Sequence, residues 1–511
     1  MNRLKNILIL TTALAVTVSC EVLDSQTPQQ SIAANEAFSS TQAMNAALTG
    51  SYADMQGGAS MGADFLLHSE FMADNANFIG SFTTFQDIAA RNITVSNGTI
   101  ENMWSEQYEV INDVNLLIEG VRNSDLETAE FQNNRDRIVG EALAIRGLIY
   151  FELVRLWARP WNDTPDNSHL GVVLQTEGAI NLEDFESQVE RSTVAEVYSR
   201  INTDLNDALG LLQGQGIINN GRFNEYNVRA ILARVRLQQG EYQDVANLTD
   251  QIIQSNVYAL EGNINAYFEN EEASSESVFE IIHNVQDNPG VNAALSTFYA
   301  PTRLGGRGDV TVTTNYITAI QNAVPQFQRD SLPAGGEVRD DRFTEMVGFD
   351  DPDAANPNFV SLKYPEGSNT DDNAPVMRYA DVLLMNAEAK ARLANDVNSV
   401  PADVFDNIND IRLRSMQAVN AEGQAIDTES IVAYEASDFS TKQELIDAIL
   451  LERRVELAFE GQRKHDLART GQLINGDAPN ANNVIFPIPQ EELDVNDAIT
   501  QNPGYGGNDP N

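Results

Sequence analysis

Residues 441–461 read TKQELIDAILLERRVELAFEG and carry a complete helix pattern. Ser and Thr at 440–441 can each serve as N-cap, because Gln443 or Glu444 then completes a capping box. Gly461 follows as a C-terminal stop. The stretch therefore predicts one helix that runs from this cap to Gly461.

The buried side of this helix contains one charged residue. Its apolar members are Ile446, Ile449, Leu450 and Leu457. Arg453 falls on the same side. Because a buried guanidinium needs a carboxylate to compensate its charge, Arg453 is predicted to pair with an acid.

Elsewhere the chain is mostly amphipathic helix interrupted by long polar loops. Residues 228–235 and 245–252 each have one apolar face, and Gly240 separates them. The two short antiparallel helices predicted here have the small-residue spacing of a tetratricopeptide repeat. A single such unit cannot bury its apolar face, so neighbouring helix pairs are expected.

Candidates for those neighbours lie on both sides of this pair. Apolar stripes with helical spacing occur at 137–157, 193–212, 380–391 and 404–411. Three stretches between the helical blocks look irregular, at 57–98, 258–363 and 418–438. Loops of that length in a compact protein are usually functional or partly disordered, and a ligand site is expected among them.

The N-terminus has the pattern of an export signal. Arg3 and Lys5 precede an apolar run at 7–18, which is too short to span a bilayer. Cys20 is the only cysteine and stands directly after Ser19, where a bacterial lipoprotein is cut and acylated. We predict a signal peptide at 1–19, a lipid on Cys20 and a tether at 20–40. The alternative is a plain secretory signal with an incidental cysteine.

The charge of the chain limits its partners. There are 75 acidic residues against 32 Lys and Arg, which gives a net charge of −43. Nucleic acids and anionic lipid surfaces would be repelled, whereas neutral or cationic ligands remain compatible. No later stretch reaches 18 uninterrupted apolar residues, so the body is expected to lie outside the bilayer.

Several sequence runs resemble the SusD/RagB family of outer-membrane lipoproteins. In the C-terminal half these are RYADVLLMNAEA at 378–389, INDIR at 408–412, LERRVELAFEGQR at 451–463, DLARTG at 466–471, FPIP at 486–489 and QNPGY at 501–505. In the N-terminal half they are ALTGSY at 47–52 and ALAIRGLIY at 142–150. The resemblance spans nearly all of the chain after Cys20.

This resemblance implies a mostly α-helical fold. It implies a scaffold of about four tetratricopeptide-like helix pairs and a loop-rich binding region, with an N-terminal part at 41–257 and a C-terminal part at 258–511. It also implies a partner, a TonB-dependent outer-membrane transporter of the SusC type, and an outer-membrane location facing the cell exterior. Glu452, Arg453, Glu456 and Glu460 are expected to form ion pairs between helices and not to bind ligand.

The sequence offers no convincing catalytic centre, cofactor site or metal site. Residues 58–62, GASMG, fit a nucleophile elbow, but a helix and not a strand is predicted before them. The histidines, His68, His169, His283 and His465, lack metal-ligand spacing. The tripeptide Arg-Gly-Asp at 307–309 is interpreted as a chance match. We therefore predict a protein that is not an enzyme.

A neutral glycan is bound by aromatic faces surrounded by amides and carboxylates, and two segments offer that mixture. The candidates in the first segment are Asp74, Asn75, Asn77, Phe78, Phe82 and Phe85. Those in the second are Asp287, Asn288, Phe298, Tyr299 and Arg303. The alternative for each aromatic is core packing beneath a long loop, which is expected for about half of them.

The preferred hypothesis is a lipoprotein that binds an oligosaccharide and delivers it to the transporter. A peptide cargo on the same fold is the second hypothesis, since the candidate segments lack tryptophan and the charge suits a cationic peptide. A surface-anchored glycoside hydrolase is the third, although no carboxylate pair is singled out for it.

Overall fold

The computed structural model describes residues 38–180, 189–269 and 274–506. Helices dominate this part of the chain, as the sequence predicts. They are α1 Thr41–Met55, α2 Asp64–Met72, α3 Thr83–Ala89, α4 Gly98–Arg122, α5 Ala129–Trp157, α6 Val194–Leu212, α7 Glu225–Gln239, α8 Tyr242–Ser255, α9 Ile264–Phe268, α10 Leu295–Tyr299, α11 Thr314–Asn322, α12 Gln326–Asp330, α13 Asp341–Thr344, α14 Tyr379–Leu393, α15 Ala402–Ser415, α16 Glu429–Val432, α17 Lys442–Glu456, α18 Arg463–Arg469 and α19 Gln490–Val495.

The strands are short and form antiparallel pairs. They are β1 Ala76–Phe78, β2 Ser277–Ile281, β3 Val310–Val312, β4 Glu337–Asp340, β5 Val347–Phe349, β6 Phe359–Ser361, β7 Ala374–Arg378 and β8 Met416–Val419. β1 pairs with β3, β2 with β7, β4 with β8, and β5 with β6. Most of these pairs join segments that are far apart in the chain, so their hydrogen bonds connect distant loops to one another.

The longer helices form a continuous row. In order of contact the row is α4, α5, α6, α7, α8 and α14, and both α15 and α17 pack on α14. This row of packed helices confirms the mostly α, tetratricopeptide-like scaffold. α8 and α14 are neighbours in the row, although residues 256–378 separate them in the chain.

The predicted signals at α7 and α8 are present in the structure. The side chain of Asn224 caps α7 by accepting from the backbone N–H groups of Tyr226 and Asn227. Gly240 ends the helix with a φ of +76°, a left-handed conformation that glycine adopts without a steric penalty. The helix pair inferred around Gly240 is therefore confirmed.

α17 begins as predicted but ends earlier. Thr441 caps it by accepting from the Glu444 N–H at 3.2 Å, and the helix stops at Glu456 and not at Gly461. The chain turns because Phe459 and Gly461 both have positive φ values, +68° and +72°. A Cβ on Gly461 would lie 2.8 Å from the Leu66 Cα, so the turn packs closely on α2.

The stretch at 57–98 is not irregular, since it contains α2 and α3. Every residue of α2 is buried. A helix that is enclosed on all sides has no polar face towards solvent, and α2 buries Asp64, His68, Ser69 and Glu70 together with its apolar residues, which is why its period is not visible in the sequence. The stretch at 258–363 is likewise built from short helices and strands.

A network of buried ion pairs joins the C-terminal helices to the strands. Arg453 pairs with Asp381 and, at 2.8 Å, with Asp466, which confirms the predicted partner. Arg378 pairs with Glu276, Glu456 and Glu460. Arg342 and Arg412 both pair with Glu452. The acids at 452, 456 and 460 are thus structural, as expected.

Within the described residues no helix is both long and apolar enough to cross a bilayer. The predicted signal peptide, Cys20 and residues 20–37 of the tether lie outside the described residues. The division at residue 257 stays a prediction.

Candidate functional site

The two predicted ligand segments meet at Phe82 and Phe298, whose ring centroids lie 6.1 Å apart. Pairing of β1 with β3 places residues 76–78 opposite 310–312, and the Ile79 N–H donates to the Asp309 carbonyl at 2.7 Å. β3 also contacts β6, which brings the hairpin formed by β5 and β6 alongside. The neighbouring strands carry a group of exposed and half-buried side chains that we call the loop platform: Asn77, Phe78, Ile79, Phe82, Arg303, Arg307, Asp309, Phe349 and Phe359.

One half of the loop platform centres on Phe82 and Arg307. The Arg307 guanidinium carbon lies 4.4 Å from the Phe82 ring centroid, within range of a cation–π contact. Its Nε donates to Asp309 Oδ2 at 2.6 Å, and one Nη donates to Asn292 Oδ1 at 3.3 Å. One face of the Phe82 ring thus carries a guanidinium that is held in place by a carboxylate and an amide, the groups that hydrogen-bond sugar hydroxyls.

Gly80 is needed for this arrangement. A Cβ at this position would lie 2.5 Å from both Asp309 Cγ and Phe78 Cζ, closer than side-chain carbons approach one another. The glycine therefore lets the two segments meet.

The other half of the loop platform is formed by the β5–β6 hairpin. The rings of Phe349 and Phe359 stack with centroids 5.0 Å apart, and Phe349 is 39% exposed. Arg303 is exposed, and its Nε donates to the Phe349 carbonyl at 3.3 Å. This hairpin adds an accessible aromatic surface next to a guanidinium.

Four predicted contact residues are buried, which corrects their assignment. They are Asn75, Phe85, Phe298 and Tyr299. The Phe85 ring packs against Phe78 and Phe298, with centroids 5.4 and 5.3 Å apart. Buried rings offer no face to a sugar, so these side chains support the loop platform from below.

The polar candidates divide in the same way. Asp74 pairs with Arg463 at 2.7 Å and Arg454 at 3.2 Å. Burial raises the pKa of Asp74, but the hydrogen bond and charge of Arg463 outweigh it and lower that pKa below its usual value. Asp287 is exposed, and Asn288 accepts from the Thr370 hydroxyl at 2.7 Å. Asp74 is thus structural, while Asp287 stays a predicted contact.

The groups considered for catalysis have structural surroundings. Ser60 is buried in the turn Gly58–Gly62 after α1, and its Oγ accepts from Gln107 Nε2 at 2.9 Å. His68 is buried against Phe85, and burial lowers its pKa to about 3. In residues 38–180, 189–269 and 274–506, no three His, Cys, Asp or Glu side chains are placed to hold a metal ion.

Sequence reasoning missed Arg307, Asp309, Phe349 and Phe359. Arg307 and Asp309 are the first and last residues of the Arg-Gly-Asp tripeptide at 307–309. Their side chains form an ion pair with each other. Phe349 is the last residue of β5, and Phe359 is the first residue of β6. The Asp-rich turn between these two short strands is a sequence signal for a β-hairpin.

Two family profiles match this chain. A SusD-like profile described as starch-binding and associating with the outer membrane matches residues 21–237, and the SusD family profile matches residues 356–483. Together they cover more than half of the sequence. The chain belongs to the SusD/RagB family.

Full-length SusD relatives show the same similarity. SusD-like proteins P38 and P2 of Formosa agariphila are 25% and 24% identical, over 99% and 96% of this chain and 100% and 97% of theirs. A solved putative sugar-binding protein of Bacteroides vulgatus superimposes with a TM-score of 0.72 at 24% identity, over 91% of this chain and 98% of that one. A laminarin-binding SusD-like protein superimposes with a TM-score of 0.65 at 22% identity, over 91% and 99%. These structures confirm the SusD-like fold.

Proposed function

We propose that this protein is a non-enzymatic outer-membrane lipoprotein that captures an oligosaccharide on the loop platform and delivers it to a TonB-dependent transporter of the SusC type. The observation that carries this proposal is the pair of accessible aromatic side chains, the half-buried Phe82 and the exposed Phe349, each beside an arginine. Aromatic faces stack on the apolar faces of sugars, and the arginines donate to hydroxyls. The similarity to a laminarin-binding SusD-like protein supports a glycan ligand.

Capture is tested with a glycan and peptide array and the purified protein beginning after Cys20. The double variant Phe82→Ala and Phe349→Ala is expected to weaken glycan retention about tenfold, because each stacking contact contributes about 0.5–1.5 kcal/mol. Its melting temperature should stay close to that of the unchanged protein. The readouts are array retention, the dissociation constant of the best glycan and the melting curve.

The matched control is Phe327→Ala, which removes an equally exposed ring, 44% accessible, outside the loop platform. Phe85 is unsuitable for this test because its ring is buried, and truncating it would destabilise the core by about 3–5 kcal/mol. Undiminished glycan retention by the double variant would contradict the assigned site. Recovery of shortened glycans would replace capture with hydrolysis.

A peptide cargo is the second candidate. The net charge of −43 attracts cationic peptides, and the loop platform contains phenylalanine but no tryptophan. Peptide retention on the array without glycan retention would establish this alternative on the same fold.

The membrane anchor is tested by Cys20→Ser. Removal of the acylated thiol is expected to shift the protein from the membrane fraction to the soluble fraction, because two acyl chains are needed for stable anchoring. The circular dichroism spectrum should not change. Continued membrane retention after detergent-free washing would exclude lipid attachment at this residue.

A further inference from the structure

A small cavity lies between α9, β2 and the segment at 363–373. Its volume is about 70 Å³, enough for a small polar group. Its walls include the rings of Tyr267, Phe268 and Tyr364 and the carboxyl groups of Glu269, Glu280, Glu366, Asp371 and Asp372. The three rings and Glu280 are buried, whereas Glu269 and Glu366 are more exposed. Acidic residues therefore occur both inside the cavity and at its opening.

The buried carboxyl groups of this cavity lack a cationic partner in the described residues. Glu280 is only 4% exposed, yet its Oε1 has no hydrogen-bond partner, and neither has Asp371 Oδ1. In the described part of the chain, Glu280, Asp371 and Asp372 form no ion pair with Lys or Arg. Buried carboxylates are costly unless they are paired, so the cavity has the electrostatics of a cation site.

The one lysine in the wall does not supply that cation. Lys363 Nζ donates to Glu460 Oε1 and to the Glu456 carbonyl, both at 2.7 Å, and belongs to the buried ion network. Its ammonium also lies 4.9 Å from the Phe268 centroid, which shows that this ring already faces one positive charge. Among the residues that the structure describes, the acids on the cavity side therefore have no cationic side chain as a partner.

The chemistry of the walls distinguishes between cations. A bare metal ion would need several convergent oxygen ligands, and no such group of three occurs in the described residues. Aromatic rings contribute little to a hard metal ion but favour an organic cation. We propose that this cavity binds a protonated primary amine, so that this protein prefers ligands that carry one, an amino sugar or a lysine side chain.

The segment between the lining residues Glu366 and Asp371 contacts the second predicted ligand segment. The Thr370 hydroxyl donates to Asn288 at 2.7 Å, and the Ser368 hydroxyl donates to the Leu304 carbonyl at 3.5 Å, next to Arg303 of the loop platform. The inference therefore rests on the proposed function, since one ligand would be held by the loop platform and by the cavity. It adds a charge preference that the loop platform alone does not provide.

Binding of an amine should release a proton. Burial raises the pKa of Glu280 to about 7, and that of Asp372 to about 7. These carboxyl groups are therefore partly protonated near neutral pH while the cavity is empty. An ammonium group favours the ionised carboxylates, so the displaced proton passes to the buffer.

The test compares each ligand with an acetylated form that has no free amine. Isothermal titration calorimetry compares chitotriose, a trimer of glucosamine, with its fully N-acetylated form, and N-terminally acetylated Ala-Lys-Ala with the same peptide whose lysine is also acetylated. At pH 7 we expect at least tenfold tighter binding of the free amine in one of the two pairs. Repeating the titration in buffers of different ionisation enthalpy should reveal proton release. A preference within the chitotriose pair would identify an amino sugar as the ligand, and a preference within the peptide pair would identify a lysine side chain.

Two variants locate the effect. Glu280→Gln and Asp371→Asn keep the shape of the cavity and are expected to abolish the preference for the free amine. Glu422→Gln, at an exposed position, is the control and should retain it. Melting curves show whether each variant is folded.

Each outcome has a distinct meaning. Equal affinity for free and acetylated forms in both pairs would overturn the amine site, as would a preference that survives both cavity variants. Binding of calcium with no preference for an amine would also overturn it. Retention of neutral glycans in these cases would leave the capture proposal intact, whereas loss of all glycan binding would contradict capture itself.

Discussion

Replacing Glu456 with glutamine is expected to lower the free energy of unfolding by about 3–5 kcal/mol, the usual result of removing one partner from a buried ion pair. Glu456 Oε1 accepts from Arg378 at 2.9 Å and from Arg414 at 2.5 Å, and all three side chains are almost completely buried. Burial by itself would raise the pKa of Glu456, but the charges of Arg414, Arg378 and Arg342 hold it well below the usual value. Without this carboxylate, three buried guanidinium groups share too little negative charge.

Urea unfolding followed by circular dichroism measures this effect. The control is Glu422→Gln, which removes an exposed carboxylate and should change stability by less than about 0.5 kcal/mol. A loss of stability no greater than in this control would mean that water or local rearrangement compensates the arginines.

The melting temperature is expected to fall as the pH rises from 6 to 8. Burial raises the pKa of Asp64 to about 8 and that of Glu70 to about 7, and Glu280 and Asp372 behave similarly. In this range the folded protein retains protons that the unfolded chain has already lost. Stability therefore decreases with pH, by up to about 1.4 kcal/mol per pH unit for each such group.

Other buried groups make the protein more stable as the pH rises, but their effect between pH 6 and 8 is smaller. Burial lowers the pKa of His68 to about 3, so its ionisation favours unfolding chiefly below pH 6.5. Burial also lowers the pKa of Lys464 to about 7, which adds stability with rising pH in the upper part of the window. The paired acids matter only in acid: burial raises the pKa of Glu388, but Arg469 lowers it to about 2, and its contribution is lost as the pH falls towards that value.

Differential scanning fluorimetry between pH 5 and 8 tests this profile. Asp64→Asn should flatten it and raise the melting temperature at pH 8, because it removes the largest of these ionisation costs. A melting temperature that rises steadily from pH 6 to 8 in the unchanged protein would contradict the prediction.

The scaffold was predictable where local signals determine structure. The cap at Thr441 and the stop at Gly240 act within a few residues, and both are found as expected. The partner of Arg453 was predictable as a class, an acid, because burial of a guanidinium imposes it. Its identity as Asp381 and Asp466 depends on how distant helices meet, which the sequence pattern does not contain.

The candidate site was only partly predictable. Phe82 and Phe298 are both aromatic residues in loop-rich segments, yet one is half exposed and the other buried beneath it. Their difference arises from the pairing of β1 with β3, which are separated by more than two hundred residues. Phe349 and Phe359 escaped notice because their stacking exists only once the hairpin has formed.

The direct contact between α8 and α14 bears on how the loop platform can vary. The two helices touch although residues 256–378 lie between them in the chain, so the row of helices does not run through that segment. This segment carries five of the nine loop-platform residues, and it also contains Glu276, Arg342 and Arg378 of the buried ion network. Changes confined to its exposed loops leave that network intact. The helical scaffold and the loop platform can therefore diverge at different rates, so that relatives with one architecture can bind different ligands.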